Sequence, residues 1–250
     1  MTSDLLGPIT IIGRHPRASN AVFLVDVQGD DGTVRALYKP VSGERPLWDF
    51  PRGELARREV ATYAVAQALA LDVVPDTVWR TDAPLGPGSL QRWITDASLD
   101  DVEVAQDVPP GWHHVLDAEL EDGTPVCLIH RDDAALRALA LLDAIVNNGD
   151  RKAGHILRDR NGHLWAVDHG VTFHAEPRLR TVLWGFVGEA IDTDLLARLD
   201  AELLTRLPAL TAALDDAELH ALTRRIQSLR EAGVHPGPSP EWPAIPWPVY

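Results

Sequence analysis

Apolar and polar positions alternate at the start of the chain. Pro8 to Ile12, Ala21 to Val27 and Arg35 to Pro40 are short, β-branched runs, separated by a loop from Gly13 to Asn20 and by the turn Gly29-Asp30-Asp31-Gly32. Such runs punctuated by glycine and aspartate predict an antiparallel sheet. The period then changes. From Leu55 to Ala70 the apolar positions Val60, Ala64, Ala68 and Leu71 recur at helical spacing, with Arg57, Arg58 and Glu59 near the start, which predicts a helix. Val73 to Trp79 and Gly88 to Ile94 read as two more strands around the proline- and glycine-rich turn Asp82 to Gly88.

Beyond about residue 95 the pattern shifts again. Asp96 to Gly111 is acidic and carries prolines, as expected of a boundary between lobes, and Asp132 is placed to cap an apolar helix from Ala134 to about Val146. Ile156 to Arg158 and Leu164 to Val167 flank Asp159-Arg160-Asn161-Gly162; an Asn-Gly pair between apolar runs predicts a hairpin. Residues 192–232 are rich in leucine and alanine and predict helices, and 236–250 is a proline-dense tail with Trp242 and Trp247. The expected organisation is α+β: a sheet-and-helix unit over 1–94, a mainly helical unit over 95–235, and the tail over 236–250.

Composition narrows the classes of function. A 250-residue chain with 45% hydrophobic residues can bury a sizeable core. Its net charge of −14 argues against nucleic acid or an anionic membrane as a general partner, because both demand a basic face. Cys127 is the single cysteine, so neither an intrachain disulfide nor a multi-cysteine zinc site can form, in keeping with a reducing cytoplasm. No segment approaches the ~18 apolar residues of a membrane-spanning helix, so membrane insertion is not expected.

The chemistry concentrates in Asn147-Asn148-Gly149-Asp150-Arg151-Lys152-Ala153-Gly154-His155, followed after the hairpin by Val167-Asp168-His169-Gly170. Phosphoryl transfer requires a cation on the nucleotide phosphates, a carboxylate-held metal and a group that orients the nucleophile. Lys39, at the end of a strand, is the candidate for the first role, with Glu59 on the following helix to hold it in place; taken alone, the two read more readily as a solvated strand end and one more charge on an exposed helix face. Ser19 and the backbone of the Gly13 to Asn20 loop could cover phosphates, although a plain hairpin turn has the same pattern. Asp150 and Asp168 combine into a constellation suited to a catalytic carboxylate and a metal ligand. Arg151 is a candidate phosphate contact or a neutraliser of nearby acids. His155 has three readings: metal ligand, hydrogen-bond donor that orders the loop, or semi-buried histidine.

These pieces together resemble the phosphatidylinositol 3- and 4-kinase-like family of the protein-kinase-like superfamily, in a small bacterial form. The matching residues are Tyr38-Lys39-Pro40, Arg58-Glu59, Val74-Pro75, Gly88-Ser89-Leu90-Gln91, Gly149-Asp150-Arg151 and Val167-Asp168-His169-Gly170, in family order over roughly residues 9 to 172. The resemblance implies a two-lobed kinase fold with an antiparallel sheet and helix in the N-lobe, a mainly helical C-lobe, and ATP between them. It implies that Lys39 contacts the α/β phosphates and pairs with Glu59, that Gln91 to Trp93 form the adenine hinge, that Asp150 is the catalytic aspartate and that Asp168 binds metal. His155 stands where the family carries asparagine, and His169 where an aromatic residue is usual. Mg²⁺ prefers oxygen ligands, whereas Mn²⁺ tolerates an imidazole better, so either ion enters as a cofactor with ATP. The expected activity is ATP-dependent phosphotransfer to a soluble or protein acceptor. A nucleotide-binding pseudokinase and an interaction module docking through the Trp-Pro tail are the alternatives.

Overall fold

The computed structural model describes residues 2–15, 20–30, 32–50 and 54–250. Its first sheet has five strands: β1 (Ile9–Arg14), β2 (Phe23–Gly29), β3 (Gly32–Pro40), β4 (Thr77–Arg80) and β5 (Gly88–Arg92). They lie in the order β1-β2-β3-β5-β4, and every neighbouring pair is antiparallel. β5 rather than β4 flanks β3, with Lys39 opposite Ser89. A side chain at Gly88 would strike the Lys39 carbonyl, so glycine there lets the strand lie close beside the end of β3. Leu5, Val25, Val27, Ala36, Tyr38 and Leu90 pack into an apolar cluster on this sheet.

Helix α1 (Leu55–Ala68) sits between this sheet and the rest of the molecule. Ala61, Val65, Ala66 and Leu69 join a second, larger cluster with α2 (Ala134–Val146) and the C-terminal helices. Val73 and Val74, expected in a strand, are instead buried loop residues of that cluster; the strand β4 begins only at Thr77. The cap of α2 is Asp133 rather than Asp132: its side chain accepts from the N–H groups of Ala135 and Leu136 at 2.8 and 3.2 Å. Asp132 is one residue too early and pairs with Arg137 at 2.6 Å.

The acidic stretch after residue 95 holds one strand, and two more follow it before α2. β6 (Val102–Ala105), β7 (Trp112–Glu119) and β8 (Pro125–Arg131) form a second antiparallel sheet in the order β6-β8-β7. β9 (Ile156–Arg158) and β10 (Leu164–Ala166) form the expected hairpin, with Gly162 at positive φ in its turn. Residues 192–232 divide into α3 (Thr193–Arg198), α4 (Ala201–Thr205), α5 (Pro208–Ala213) and α6 (Asp216–Ala232). A capping box between Asp215 and Glu218 opens α6, and Gly233 in the left-handed region closes it. The protein is therefore an α+β molecule with antiparallel sheets. Among the described residues, no helix is long and apolar enough to cross a membrane.

Candidate functional site

Lys39 reaches the site because β3 carries it to the end of the sheet that faces α1. Its ammonium pairs with Glu59 of α1 and, at 3.0 Å, with Asp168. Three residues distant in sequence thus meet at one cation. Burial opposes the charge on Lys39, but Asp168 and Glu59 outweigh it and hold its pKa above the ordinary lysine range. Lys39, with His155 nearby, in turn draws Asp168 well below the usual carboxylate range. Burial pushes Glu59 upward, Lys39 opposes that and Asp168 adds to it.

The loop bearing Asp168 is held from beneath. The His169 N–H donates to Glu59 at 3.0 Å, and Arg58 donates to the Thr172 carbonyl at 2.7 Å while pairing with Glu218 of α6 at 2.6 Å. Gly170 packs on α1, where an added side chain would lie 3.3 Å from Leu55. Asp168 itself adopts positive φ (61°), a conformation uncommon outside glycine and retained where surrounding contacts fix it.

Asp150 occupies the loop between α2 and the hairpin. Asn147 ends α2 in the left-handed region, and its amide donates to the carbonyls of His174 and Glu176. Asn148 accepts from the Asp150 N–H at 3.0 Å and donates to buried Asp143 at 2.9 Å. Arg151 does not face the site. It is 0% exposed, forms a bidentate pair with Asp143 at 2.9 and 3.0 Å, and donates to the Val167 carbonyl at 2.8 Å. Another Arg151 N–H donates to His169 Nε2 at 2.7 Å, so that nitrogen carries a lone pair. Burial, with Arg151 and Lys39 nearby, lowers the His169 pKa and keeps the ring neutral. Arg151 therefore ties the Asp150 loop to the Asp168 loop from behind. The cations beside the Asp150 carboxylate are Lys152 at 3.4 Å and Arg180 at 3.8 Å; Arg180 also donates to the Gly149 carbonyl at 2.5 Å.

His155 bridges the two loops. Its Nδ1 lies 3.0 Å from the Asp150 carbonyl, which can only accept, so Nδ1 donates and Nε2 carries the lone pair. That Nε2 faces Asp168 at 3.4 Å. Burial lowers the His155 pKa, with Asp168 opposing and Arg151 reinforcing the shift. A neutral imidazole lone pair directed at a carboxylate is suited to sharing a cation. Among the described residues, no group of three or more His, Cys, Asp or Glu side chains could hold a metal, so His155 and Asp168 would supply two ligands at most.

The remaining expected residues lie elsewhere. Ser19 falls outside the described residues. The Gln91 side chain is buried and donates to Thr77 at 2.9 Å, which directs it into the sheet. The Trp93 N–H donates to the Arg35 carbonyl at 3.0 Å, and its ring lies beside His15. Sequence reasoning missed Asp143 and Arg180. Asp143 had a readable signal, a lone carboxylate within Leu141-Leu142-Asp143-Ala144-Ile145-Val146; Arg180 had none, because only the fold brings it to Asp150.

An α+β scaffold thus gathers a lysine, a glutamate, two aspartates and a histidine from four separate segments. No family model matches the chain. It is 42% identical over 260 residues to Protein Rv2133c of Mycobacterium tuberculosis, a match covering 98% of this chain and 93% of that protein. The chain belongs to the family of that protein.

Proposed function

We propose that this chain is an ATP-dependent phosphotransferase with a two-lobed, protein-kinase-like architecture, using Mg²⁺ or Mn²⁺. The observation that supports the reading best is the meeting of Lys39 with both Glu59 and Asp168, residues singled out for phosphate binding, lysine positioning and metal binding. In this reading the β1–β5 sheet and α1 form one lobe, the remainder forms the other, and ATP lies between them.

Lys39 would hold the α/β phosphates, and Glu59 would keep its ammonium in place. Asp168 and His155 would hold a divalent ion, whose chemistry is to neutralise charge on the phosphates. One oxygen and one imidazole nitrogen suit Mn²⁺ better than Mg²⁺. Asp150 would accept the proton of the acceptor hydroxyl as its oxygen bonds to the γ-phosphorus and the bond from that phosphorus to the departing ADP oxygen breaks. Lys152 and Arg180 flank that position. Asp150→Ala is expected to retain nucleotide binding and to lower turnover by roughly 10²-fold or more, measured as ADP formation.

A second reading, a nucleotide-binding regulatory module without transfer, is favoured by His155 in place of an amide. It is the outcome if ATP binds in a metal-dependent manner but neither ADP nor a phosphorylated product forms.

A further inference from the structure

Residues 242–250, within the proline-dense tail 236–250, are bonded into the loop that carries the candidate site. The Val249 carbonyl accepts from the Ala153 N–H at 2.9 Å, two residues before His155 and three after Asp150. The Ala244 carbonyl accepts twice, from the Thr181 N–H at 3.1 Å and from Trp184 Nε1 at 2.8 Å. The Tyr250 hydroxyl donates to the Val102 carbonyl of β6 at 3.1 Å. Upstream, the Trp242 ring stacks on the Arg178 guanidinium at 3.5 Å, and the Arg178 N–H donates to Asn147 Oδ1. Segment 178–182 in turn pairs with the loop, through Arg180 N–H to Asn148 and Arg151 N–H to Arg180.

We propose that residues 242–250 act as a strap that positions the Asp150–His155 loop, with the Ala153 to Val249 hydrogen bond fixing His155 toward Asp168. Ala153 begins a single helical turn, Ala153–His155, whose first residues lack internal partners for their N–H groups. Val249 supplies the missing acceptor. The turn then carries His155 round so that Nδ1 meets the Asp150 carbonyl and Nε2 meets Asp168. Without that acceptor the first N–H of the turn would have to find water within a site from which Ala153 is almost completely buried. The strap thus orients the residue whose geometry sets metal preference; this consequence rests on the phosphotransfer reading.

Ala153→Pro tests the bond directly. Proline lacks the N–H, and it fits the first position of a helical turn after Lys152, whose extended backbone (ψ 162°) is the conformation favoured before proline. Trp184→Phe removes one donor to Ala244 and serves if the proline variant does not fold. Trp247→Ala is the control, because this ring is 85% exposed in the same segment. The readouts are calorimetric affinity for a nonhydrolysable ATP analogue with Mn²⁺ and with Mg²⁺, and hydrogen exchange over 150–157. Ala153→Pro is expected to lower affinity roughly three- to tenfold, to alter the Mn²⁺-to-Mg²⁺ ratio and to speed exchange at His155 to Leu157. Trp184→Phe should move the same readouts less, and Trp247→Ala should not move them. Unchanged affinity, metal ratio and exchange in the first two variants would overturn the proposal. A native chain that binds the analogue with neither metal would overturn the phosphotransfer reading instead, and with it the effect of the strap on metal preference.

Discussion

Arg151 carries a full charge with no solvent exposure, and it can do so because Asp143 neutralises it in the fork geometry that guanidinium and carboxylate share. Removing one partner of such a pair leaves the other charged in the core. Asp143→Ala is expected to destabilise the fold by roughly 3–5 kcal/mol, read from urea denaturation; a loss below about 1 kcal/mol would show that Arg151 finds another partner. Two further buried residues set a pH dependence away from the site. Burial lowers His130 and His235 to about 4, so both are neutral in the fold near pH 7. The unfolded chain takes up these protons first, from about 6.5 downward, so stability rises with pH across this interval. Their contribution is therefore fully present above about pH 6.5 and lost as pH falls toward 4. Histidine NMR titration should place both midpoints below 5; midpoints near 6.5 would contradict this.

At the scale of elements, helix boundaries follow from local rules. Asp133→Ala should cost about 1 kcal/mol in thermal unfolding by removing the cap of α2, and Asp132→Ala should cost less. Much of this was legible in the sequence. The helical period of α1, the apolar run of α2, the Asn-Gly turn between β9 and β10, and the pairing of Lys39 with Glu59 all followed from residue pattern or family resemblance; the contact of Lys39 with Asp168 came only from the fold. The β6–β8 sheet was not legible in this way. β6 is only Val-Glu-Val-Ala, and β7 carries His113 and His114 near its start, beside a register shift between His114 and Leu116 that breaks its alternation. Arg151 read as a site residue because charge in a loop suggests exposure; its burial depends on Asp143, Val167 and His169, which only tertiary structure brings together.

Across the whole molecule, two apolar clusters are supplemented by polar contacts that link segments far apart in sequence. The Lys39 to Asp168 pair is one such contact, and the stack of Trp48, Arg178 and Trp242 is another, with the two indole centroids 6.3 Å apart. The first joins the groups proposed to hold nucleotide phosphates and metal, and the second reaches the proposed strap, which bonds to Ala153 of the Asp150–His155 loop. The most direct test of the account is calorimetric titration of ATP with Mg²⁺ and then Mn²⁺ into the native chain and into Asp168→Asn. The account predicts metal-dependent binding, tighter with Mn²⁺ than with Mg²⁺ and weakened at least tenfold by the substitution. ATP affinity that is absent, or equal in both chains with and without metal, would contradict it.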